Sequence, residues 1–312
     1  MRKLKTAVIG VGYLGKFHAE KYAVLPNSEL IAVVDTNADT ASTIASKHSV
    51  QGLTDYHCLL GQVEAVSIAV PTSLHYKVAK DFLTHGSHVL IEKPITVTVE
   101  EADELIELAQ NKGLLIQVGH LERFNAAILE LDKVPGTPMF IESHRLAPFN
   151  PRATDVNVVL DLMIHDIDII LDIVRSDIKA VSASGTKVLT DTIDIANARL
   201  EFESGCVANV TASRISMKTE RKMRLFHPDS YISVDFYNRS LDVYRKGKNE
   251  MFPGIPEIIH TESVFENNDP LKLEIIAFLD AIQHNTAVKV SGEDGQRALM
   301  TADKITKLLK CA

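Results

Sequence analysis

The sequence predicts an α/β protein of two domains, in which a parallel sheet is followed by an α+β domain with an open, mostly antiparallel sheet. Short apolar runs alternate with amphipathic stretches up to about residue 120. A glycine-rich turn joins the first of these apolar runs to the first amphipathic stretch. Strand-like runs joined by tight turns dominate residues 179–245. A chain of 312 residues is long enough for two such domains.

The first domain is predicted from five short apolar runs, each expected to form a buried parallel strand. These strands are Ala7–Ile9, Leu30–Val34, Ala65–Val70, His88–Ile91 and Leu115–Val118. The amphipathic stretches between them predict the helices Leu14–Leu25, Ala38–His48, Leu74–His85 and Val99–Lys112. Strand–helix alternation of this kind indicates a parallel sheet with helices on both faces.

The second domain is predicted from a change of rhythm after Gly119. Strands separated by turn signals follow one another there, which is typical of antiparallel pairing. The remaining elements expected are a strand near Met139–Arg145 and the helices Arg123–Val134, Val156–Val174, Leu271–Gln283 and Glu293–Lys310. We therefore place the two domains at residues 1–120 and 121–312.

Composition and charge exclude several classes of protein. The formal net charge of -8 disfavours nucleic acid and anionic membranes as partners. The apolar stretch Val156–Val174 contains four aspartates and a histidine, so it is not expected to span a bilayer. The three cysteines are scattered and have no metal-binding spacing, which predicts reduced thiols and no metal site. With no signal-peptide pattern at the N-terminus, we expect a cytoplasmic protein.

The glycine-rich turn has the spacing of a dinucleotide-binding motif. In Gly10-Val-Gly12-Tyr13-Leu14-Gly15, the first glycine permits a tight turn and the second lets the backbone approach a pyrophosphate. The third allows close packing of helix and strand, and the helix N-terminus supplies amide donors. The motif predicts a Rossmann domain.

An acidic residue selects the cofactor. Asp35 ends the next strand, where a carboxylate can accept hydrogen bonds from the adenosine ribose. It would repel a 2′-phosphate, and neither Thr36 nor Asn37 adds a positive charge. We therefore expect NAD rather than NADP.

A lysine follows the predicted strand His88–Ile91. In Ile91-Glu92-Lys93-Pro94 the amine lies at the carboxyl end of a strand, the edge at which open α/β sheets bind ligands. An amine there can hydrogen-bond a reacting hydroxyl and stabilise alkoxide character as hydride leaves. The alternative is a lysine in a surface loop.

A polar stripe marks the apolar helix of the second domain. At about 100° per residue, Asp161, His165, Asp168 and Asp172 share a narrow stripe on a helix that is otherwise apolar. A histidine beside a carboxylate is suited to accept a proton near neutral pH. The alternatives are a solvated stripe or a satisfied core histidine. Asp166 points away from the stripe and is expected to have a structural role.

Together, the glycine motif, Glu92-Lys93-Pro94 and Asp161-xxx-His165 resemble the glucose–fructose oxidoreductase, inositol dehydrogenase and MocA (Gfo/Idh/MocA) family over essentially the whole chain. The resemblance implies a nicotinamide-dependent oxidoreductase that acts on a secondary alcohol of a sugar or cyclitol. It further implies that Lys93 is catalytic, Asp161 faces the substrate and His165 accepts the proton. The cofactor contacts it implies outside the glycine motif are Asp35, Thr72, His75, Glu92 and Lys93.

A finer resemblance concerns the substrate. The segments Gly119–Asn125 and His144–Arg152 look like the branch that oxidises the 3-hydroxyl of UDP-N-acetylglucosamine. A UDP-sugar needs positive charge or amide donors for its pyrophosphate, and Arg123, Arg145 and Arg152 could supply it. The alternative for each arginine is a surface ion pair.

Three functions remain open at this point. They are a UDP-N-acetylhexosamine 3-dehydrogenase, an inositol or simple-sugar dehydrogenase, and a non-catalytic protein that senses redox state through NAD. The presence of both Lys93 and His165 argues against the third.

The second sheet also predicts an assembly. Its helices, taken as Arg123–Val134, Val156–Val174 and Leu271–Gln283, suffice for one face only. Apolar residues are expected on the other face, at Val207, Val210, Leu225, Ile232 and Val234. We therefore expect a homodimer or homotetramer that pairs these open faces.

Overall fold

The structure, a computed structural model, describes residues 2–131, 134, 136–150, 157–265 and 269–310. The chain divides into two compact units, the first of which comprises Met1–Leu121 and Asp269–Leu299. The second comprises Glu122–Asn268 and Met300–Ala312. The sequence placed everything after residue 120 in one domain, whereas residues 269–299 group with the first unit.

The first unit is built on a parallel sheet of six strands in the order β3-β2-β1-β4-β5-β6. The strands are β1 (Leu4–Ile9), β2 (Ser28–Val34), β3 (Gln51–Leu53), β4 (Ala65–Ile68), β5 (His88–Glu92) and β6 (Ile116–Gly119). The sequence predicted five of them; β3 is short and carries little apolar signal. The predicted Rossmann sheet is confirmed.

Four helices connect these strands at nearly the predicted bounds. They are α1 (Gly15–Val24), α2 (Ala38–His48), α3 (His75–Thr84) and α4 (Val99–Lys112). Local capping determines where two of them begin. The Asn37 side chain accepts from the Thr40 amide at the start of α2, and Thr98 forms a capping box with Glu101 at the start of α4.

Helix α7 (Pro270–His284) belongs to the core of the first unit. Its buried residues Ile275, Phe278 and Leu279 pack in one cluster with Tyr22 of α1 and Leu4 of β1. The expectation that this helix covers the second sheet is therefore wrong, because its apolar stripe is used in the first unit. The last helix, α8 (Gly292–Lys310), follows it.

The second unit contains an eight-stranded sheet in the order β14-β13-β12-β11-β7-β10-β9-β8. Only β7 and β10 pair in parallel, so the sheet is mostly antiparallel, as predicted. Its strands are β7 (Phe140–Leu146), β8 (Ile178–Thr186), β9 (Ile195–Phe202), β10 (Val207–Ser213), β11 (Glu220–Phe226), β12 (Ser230–Asp235), β13 (Ser240–Phe252) and β14 (Ile255–Val264).

The two faces of this sheet differ in their side chains. Val210, Leu225, Ile232 and Val234 are fully buried, so they belong to the covered face. The expectation that they line the open face is wrong, since a shift of one residue along a strand moves a side chain to the other face. Val207, the fifth residue of that expectation, is half-buried and in register with Phe140 on the open face. The open face instead carries an aromatic row, in which each ring contacts the next. The row is Phe140, Phe226, Tyr231, Tyr244 and His260.

The helical structure described between Leu121 and Val174 differs from the two long helices that the sequence predicts. The predicted helix Arg123–Val134 is instead a 3₁₀ turn, Leu121–Phe124, followed by α5 (Ala126–Leu131). The long apolar helix begins with a π-helical turn, Val159–Met163, and continues as α6 (Ile164–Val174). In the part of the chain that the structure describes, no helix is long and apolar enough to cross a membrane.

Candidate active site

The carboxyl edge of the parallel sheet gathers the predicted cofactor-binding loops. Strands β1 and β4 are neighbours, although β2 and β3 lie between them in sequence. The strand order therefore reverses direction at this point. In open α/β sheets a crevice forms outside the carboxyl ends at such a reversal, and ligands bind there.

The three glycines of the motif fit a bound pyrophosphate. Gly10 has φ +83°, and a Cβ there would lie 2.7 Å from the Ala69 carbonyl oxygen. A Cβ on Gly15 would lie 1.8 Å from the Gly10 carbonyl oxygen, so helix and strand could not pack this closely with a larger residue. A Cβ on Gly12 would meet no atom within 4 Å, which leaves open space beside the backbone.

The N-terminus of α1 follows this turn directly. Among the described residues, the amides of Leu14 and Gly15 have no protein acceptor, as expected at the start of α1. Tyr13 and Leu14 are both exposed. Open space, free amides and a helix N-terminus are what the phosphates of NAD require.

Asp35 lies directly after β2 and contacts the glycine turn. Its carboxylate accepts from the Val11 amide (3.1 Å) and from the Asn37 amide (3.0 Å). These bonds hold the carboxylate beside the turn, where it fits an adenosine ribose and disfavours a 2′-phosphate. The first unit therefore fits NAD.

The turn after β5 is held by two buried histidines. Glu92 and Lys93 are half-buried, and the Lys93–Pro94 peptide is cis. His18 Nε2 lies 3.0 Å from Glu92 Oε1. His75 Nδ1 lies 2.9 Å from the Pro94 carbonyl oxygen.

The ring of His75 connects two loops at this edge. Its Nε2 lies 2.9 Å from the Val70 carbonyl oxygen, so both ring nitrogens face carbonyls. Burial lowers the pKa of this histidine, although the two carbonyls and Glu92 act in the opposite sense. His75 is almost fully buried, which favours a role in holding the Val70 and Pro94 loops. Direct contact of His75 with the cofactor stays a prediction. Thr72 opens the short turn that precedes α3 and is half-buried.

Asp161 and His165 of the second unit lie on the π-helical turn and on the first turn of α6. Both are half-buried, so His165 is not enclosed in a dry core. The wider turn changes the angle between the two residues from the one that a regular helix would give. Helical projection alone could not predict this. Isolated π turns are frequent at functional sites.

Arg145 is engaged by acidic residues. Its guanidinium forms a two-point pair with Asp166, at 2.8 Å and 3.1 Å, and donates to Glu122 Oε1 at 3.0 Å. The side chain is 3% exposed, and its positive charge is compensated by Asp166 and Glu122. Asp166 accordingly has the structural role that the sequence predicted.

Arg123 is also held by buried ion pairs. It pairs with Asp168, with Nε 3.3 Å from the carboxylate, and with Asp172, and its side chain is also 3% exposed. Buried ion pairs of this kind argue against the expectation that Arg123 and Arg145 hold a pyrophosphate. The third predicted arginine, Arg152, lies outside the described residues and stays a prediction.

Two buried groups that act on Glu92, His18 and Glu274, were not predicted from the sequence. His18 follows the glycine motif by three residues, and a polar residue in the buried face of α1 was the available signal. Glu274 lies on α7, whose place in the first unit no local pattern predicts.

Comparison with known families agrees with this arrangement. Residues 4–120 match the model of the oxidoreductase family with an NAD-binding Rossmann fold, GFO/IDH/MocA. Residues 133–229 match the GFO/IDH/MocA C-terminal domain.

Among similar proteins is UDP-N-acetylglucosamine 3-dehydrogenase of Acidithiobacillus ferrooxidans. It is 42% identical over 303 residues, which cover 97% of this chain and 96% of that protein. The scyllo-inositol 2-dehydrogenase (NAD(+)) of Bacillus subtilis is 27% identical over 69% of this chain and 68% of its own.

Solved structures show the same fold. The structure of the A. ferrooxidans enzyme, GnnA, superposes with a TM-score of 0.93, at 39% identity, over 100% of this chain and 99% of that chain. Levoglucosan dehydrogenase in complex with NADH shares the fold, with a TM-score of 0.88 at 18% identity over 99% of this chain and 98% of its own. With the glycine turn, Asp35 and the Glu92-Lys93-Pro94 turn in place, the chain belongs to the GFO/IDH/MocA family and is an NAD-dependent oxidoreductase.

Proposed function

We propose that this enzyme oxidises the 3-hydroxyl of UDP-N-acetylglucosamine to the 3-keto sugar. The observation that carries the proposal is the full-length similarity to UDP-N-acetylglucosamine 3-dehydrogenase, at 42% identity over 97% of the chain. The similar fold of both units supports it, with a TM-score of 0.93.

The chemistry assigned to the chain requires an acid and a base. Bound NAD supplies the hydride acceptor. As the C–H bond breaks, the hydroxyl proton leaves and a carbonyl forms. We assign proton removal to His165, because a neutral imidazole accepts a proton near neutral pH. The Lys93 ammonium then hydrogen-bonds the oxygen and stabilises its developing negative charge.

We assign Asp161 to substrate binding. A carboxylate one π turn before His165 accepts hydrogen bonds from sugar hydroxyls, which lack any charge of their own. The assignments of Lys93, Asp161 and His165 are proposals based on their types and positions and on the family motifs.

An inositol or simple-sugar dehydrogenase is the second candidate, because inositol dehydrogenases are also similar to this chain. The similarity is lower, at 27% identity over 69% of the chain. The residues assigned to NAD binding and to proton transfer do not distinguish a UDP-sugar from an inositol, since the reacting group of each is a secondary alcohol.

A substrate panel tests the proposal. The purified enzyme is incubated with NAD and either UDP-N-acetylglucosamine, UDP-N-acetylgalactosamine, free N-acetylglucosamine, myo-inositol or scyllo-inositol, and reduced nicotinamide is followed by absorbance. We expect turnover with UDP-N-acetylglucosamine and a product two hydrogens lighter by mass spectrometry. Turnover with an inositol and none with either UDP-sugar would establish the second candidate.

We further propose a homodimer or homotetramer that pairs the open faces of the second sheet. The aromatic row on this face, together with neighbouring charges of both signs such as Glu142 and Arg224, supports a second copy as the occupant. We also propose a cytoplasmic location, because Cys58 and Cys206 are free thiols.

A further inference from the structure

A buried row of polar side chains ends on the carboxylate next to Lys93. The Tyr22 hydroxyl lies 2.9 Å from Ser67 Oγ, and Ser67 Oγ lies 3.1 Å from His18 Nδ1. His18 Nε2 then lies 3.0 Å from Glu92 Oε1. Tyr22, Ser67 and His18 are almost completely buried. None of them is needed for the chemistry assigned above.

The hydrogen bonds of this row share one direction. Burial raises the pKa of the Tyr22 phenol well above its ordinary value, so its hydroxyl keeps its proton. Among the described residues, Ser67 is the only acceptor for that proton. The Ser67 hydroxyl is then left to donate to His18 Nδ1, and Nε2–H donates to Glu92. Every donor in the row thus points toward Glu92, and such chains strengthen one another.

A second carboxyl group leaves the negative charge on Glu92. Glu274 is fully buried, and neither of its oxygens has a hydrogen-bond partner among the described residues. Burial, and then the charge of Glu92, raise the pKa of Glu274 well above its ordinary value. A carboxylate buried in this way without a hydrogen-bond partner would be costly, which favours the neutral form of Glu274.

The pKa of Glu92 moves the other way. Burial acts to raise the pKa of Glu92, but the hydrogen bond from His18 and the positive charge of Lys93, with His75 acting in the same sense, bring it below its ordinary value. With Glu274, these are the titratable groups that act on Glu92 from α1, α3, α7 and its own turn. A pair of carboxyls with opposite shifts has one ionised member, here Glu92.

Glu92 is also held from its other side. A Cβ on Gly119 would lie 3.0 Å from Glu92 Oε2 and 3.1 Å from Glu92 Cα. Strand β6 therefore presents a bare glycine to the carboxylate. A side chain at position 119 would crowd Glu92 Oε2, while Glu92 Oε1 meets His18 Nε2.

We propose that His18 is a positioning residue for Lys93: it holds Glu92 as an ionised carboxylate that maintains the positive charge of the Lys93 ammonium. Tyr22 and Ser67 fix the imidazole so that its Nε2–H always meets Glu92. The effect of His18 on turnover rests on the proposed catalytic role of Lys93. The effect of His18 on the charge of Lys93 is independent of that role.

Two substitutions at one position separate this role from a general structural one. In His18→Gln the amide nitrogen takes the place of Nε2 and still donates to Glu92. In His18→Asn the amide takes the place of Nδ1, keeps the contact with Ser67 and loses the one with Glu92. A residue that only fills the core would be disturbed by both.

The charge of Lys93 is measured by its reactivity in the enzyme without substrate. Each variant is acetylated with acetic anhydride over a range of pH, and modification of Lys93 is quantified by peptide mass spectrometry. The pH at which Lys93 is half-reactive is the Lys93 midpoint. We expect this midpoint to fall by about one pH unit or more in His18→Asn, because a nearby opposite charge raises the pKa of an ammonium by about this amount. We expect His18→Gln to stay close to the wild-type midpoint and Glu92→Gln to fall like His18→Asn.

Glu274→Gln is the matched control, because it changes a buried carboxyl that is already neutral. Its Lys93 midpoint should equal that of the wild type. In turnover, the alkaline limb of the kcat–pH profile of His18→Asn should move to lower pH by as much as the acetylation midpoint does, since loss of the Lys93 proton removes the charge that stabilises the oxygen. KM for the sugar and NADH affinity, measured by fluorescence, should change less than twofold.

The result that overturns the proposal is a Lys93 midpoint in His18→Asn equal to that of the wild type. If His18→Asn does not fold, as judged by circular dichroism, Ser67→Ala is used instead. This variant keeps the His18 imidazole but removes the hydroxyl that donates to its Nδ1. A partial downward shift of the Lys93 midpoint is then expected, and an unchanged midpoint rejects the proposal. A failed substrate assignment would leave the acetylation result intact, so the two failures are distinguishable.

Discussion

Arg145 and Asp166 form a buried two-point ion pair, with Nε–Oδ2 and Nη2–Oδ1 distances of 2.8 Å and 3.1 Å. Asp166 directly follows His165 in α6, and Arg145 lies in β7. The pair thus anchors the proposed base to the sheet of its own unit. Because the same guanidinium also pairs with Glu122, its removal would take the buried partner from Asp166 and leave Glu122 paired with Arg221 at 3.8 Å.

Replacing Arg145 with Met should destabilise the protein by about 3–5 kcal/mol, the usual cost of breaking a buried pair on one side. Urea unfolding followed by circular dichroism measures it. Arg199→Ala is the control, because the Arg199–Glu201 pair is 43% and 45% exposed. It should cost about 0–1 kcal/mol. Equal losses in the two variants would contradict a structural role for the Arg145 pair.

Glu274→Gln should change how stability depends on pH. The raised pKa of Glu274 means that the folded state holds a proton which the unfolded chain releases near its ordinary value of 4.5. The wild type therefore has its full stability from this group below pH 4.5 and loses it as pH rises through the folded pKa, by up to about 1.4 kcal/mol per pH unit.

The glutamine cannot ionise, so the variant should gain stability relative to the wild type as pH rises above 4.5. Urea titrations at several pH values give the difference. Glu203→Gln, at an exposed position, is the control for loss of a carboxylate. A difference between Glu274→Gln and wild type that stays constant with pH would show that Glu274 is ionised in the folded protein.

His165→Asn should lower turnover by about 10²–10⁴-fold, the contribution of a positioned general base. NAD affinity should barely change, because His165 belongs to the second unit and the NAD-binding motif to the first. Lys93→Met should reduce turnover at least as much. His284→Asn, on exposed α7 surface, serves as the control. Near-normal rates and an unchanged pH profile in His165→Asn would point to Lys93 as the base.

Asp35→Ala combined with Thr36→Arg should raise the use of NADP relative to NAD. The substitution removes the repulsion of a 2′-phosphate and adds a charge that attracts it. NAD itself should bind more weakly, since the bonds of Asp35 to the Val11 and Asn37 amides disappear. The ratio of kcat/KM for the two cofactors measures the switch. An unchanged ratio would mean that Asp35 does not meet the ribose.

Tyr231→Asp with Tyr244→Asp should dissociate the proposed oligomer, because both rings belong to the aromatic row of the open face. Light scattering should then report a single chain of 34.4 kDa, whereas the wild type should give a multiple of it. Tyr56→Asp, in the first unit, tests whether any lost aromatic ring has the same effect. A wild-type mass of one chain at all working concentrations would reject the assembly.

Local signals in the sequence were sufficient for the glycine motif, for Asp35 and for five of the six strands of the parallel sheet. The spacing of Gly10, Gly12 and Gly15 and the position of Asp35 after β2 are short-range features, and each has a direct backbone reason. Helices α2 and α4 have the predicted bounds because Asn37 and Thr98 cap their first turns, and because Ser49 and Gly113 end them in the left-handed conformation. Such features act over a few residues and do not depend on distant parts of the chain.

The sequence by itself determined the family, the Rossmann sheet and the residue types available for acid and base chemistry. Only the tertiary structure decided which charges are already paired. By sequence, Arg123 and Arg145 could be phosphate ligands or members of surface ion pairs, whereas the structure pairs them with distant acidic residues in the core. Glu274 reaches the core near Glu92 from a helix that joins the first unit out of sequence order. Burial and pairing arise from long-range packing, so no local pattern can specify them.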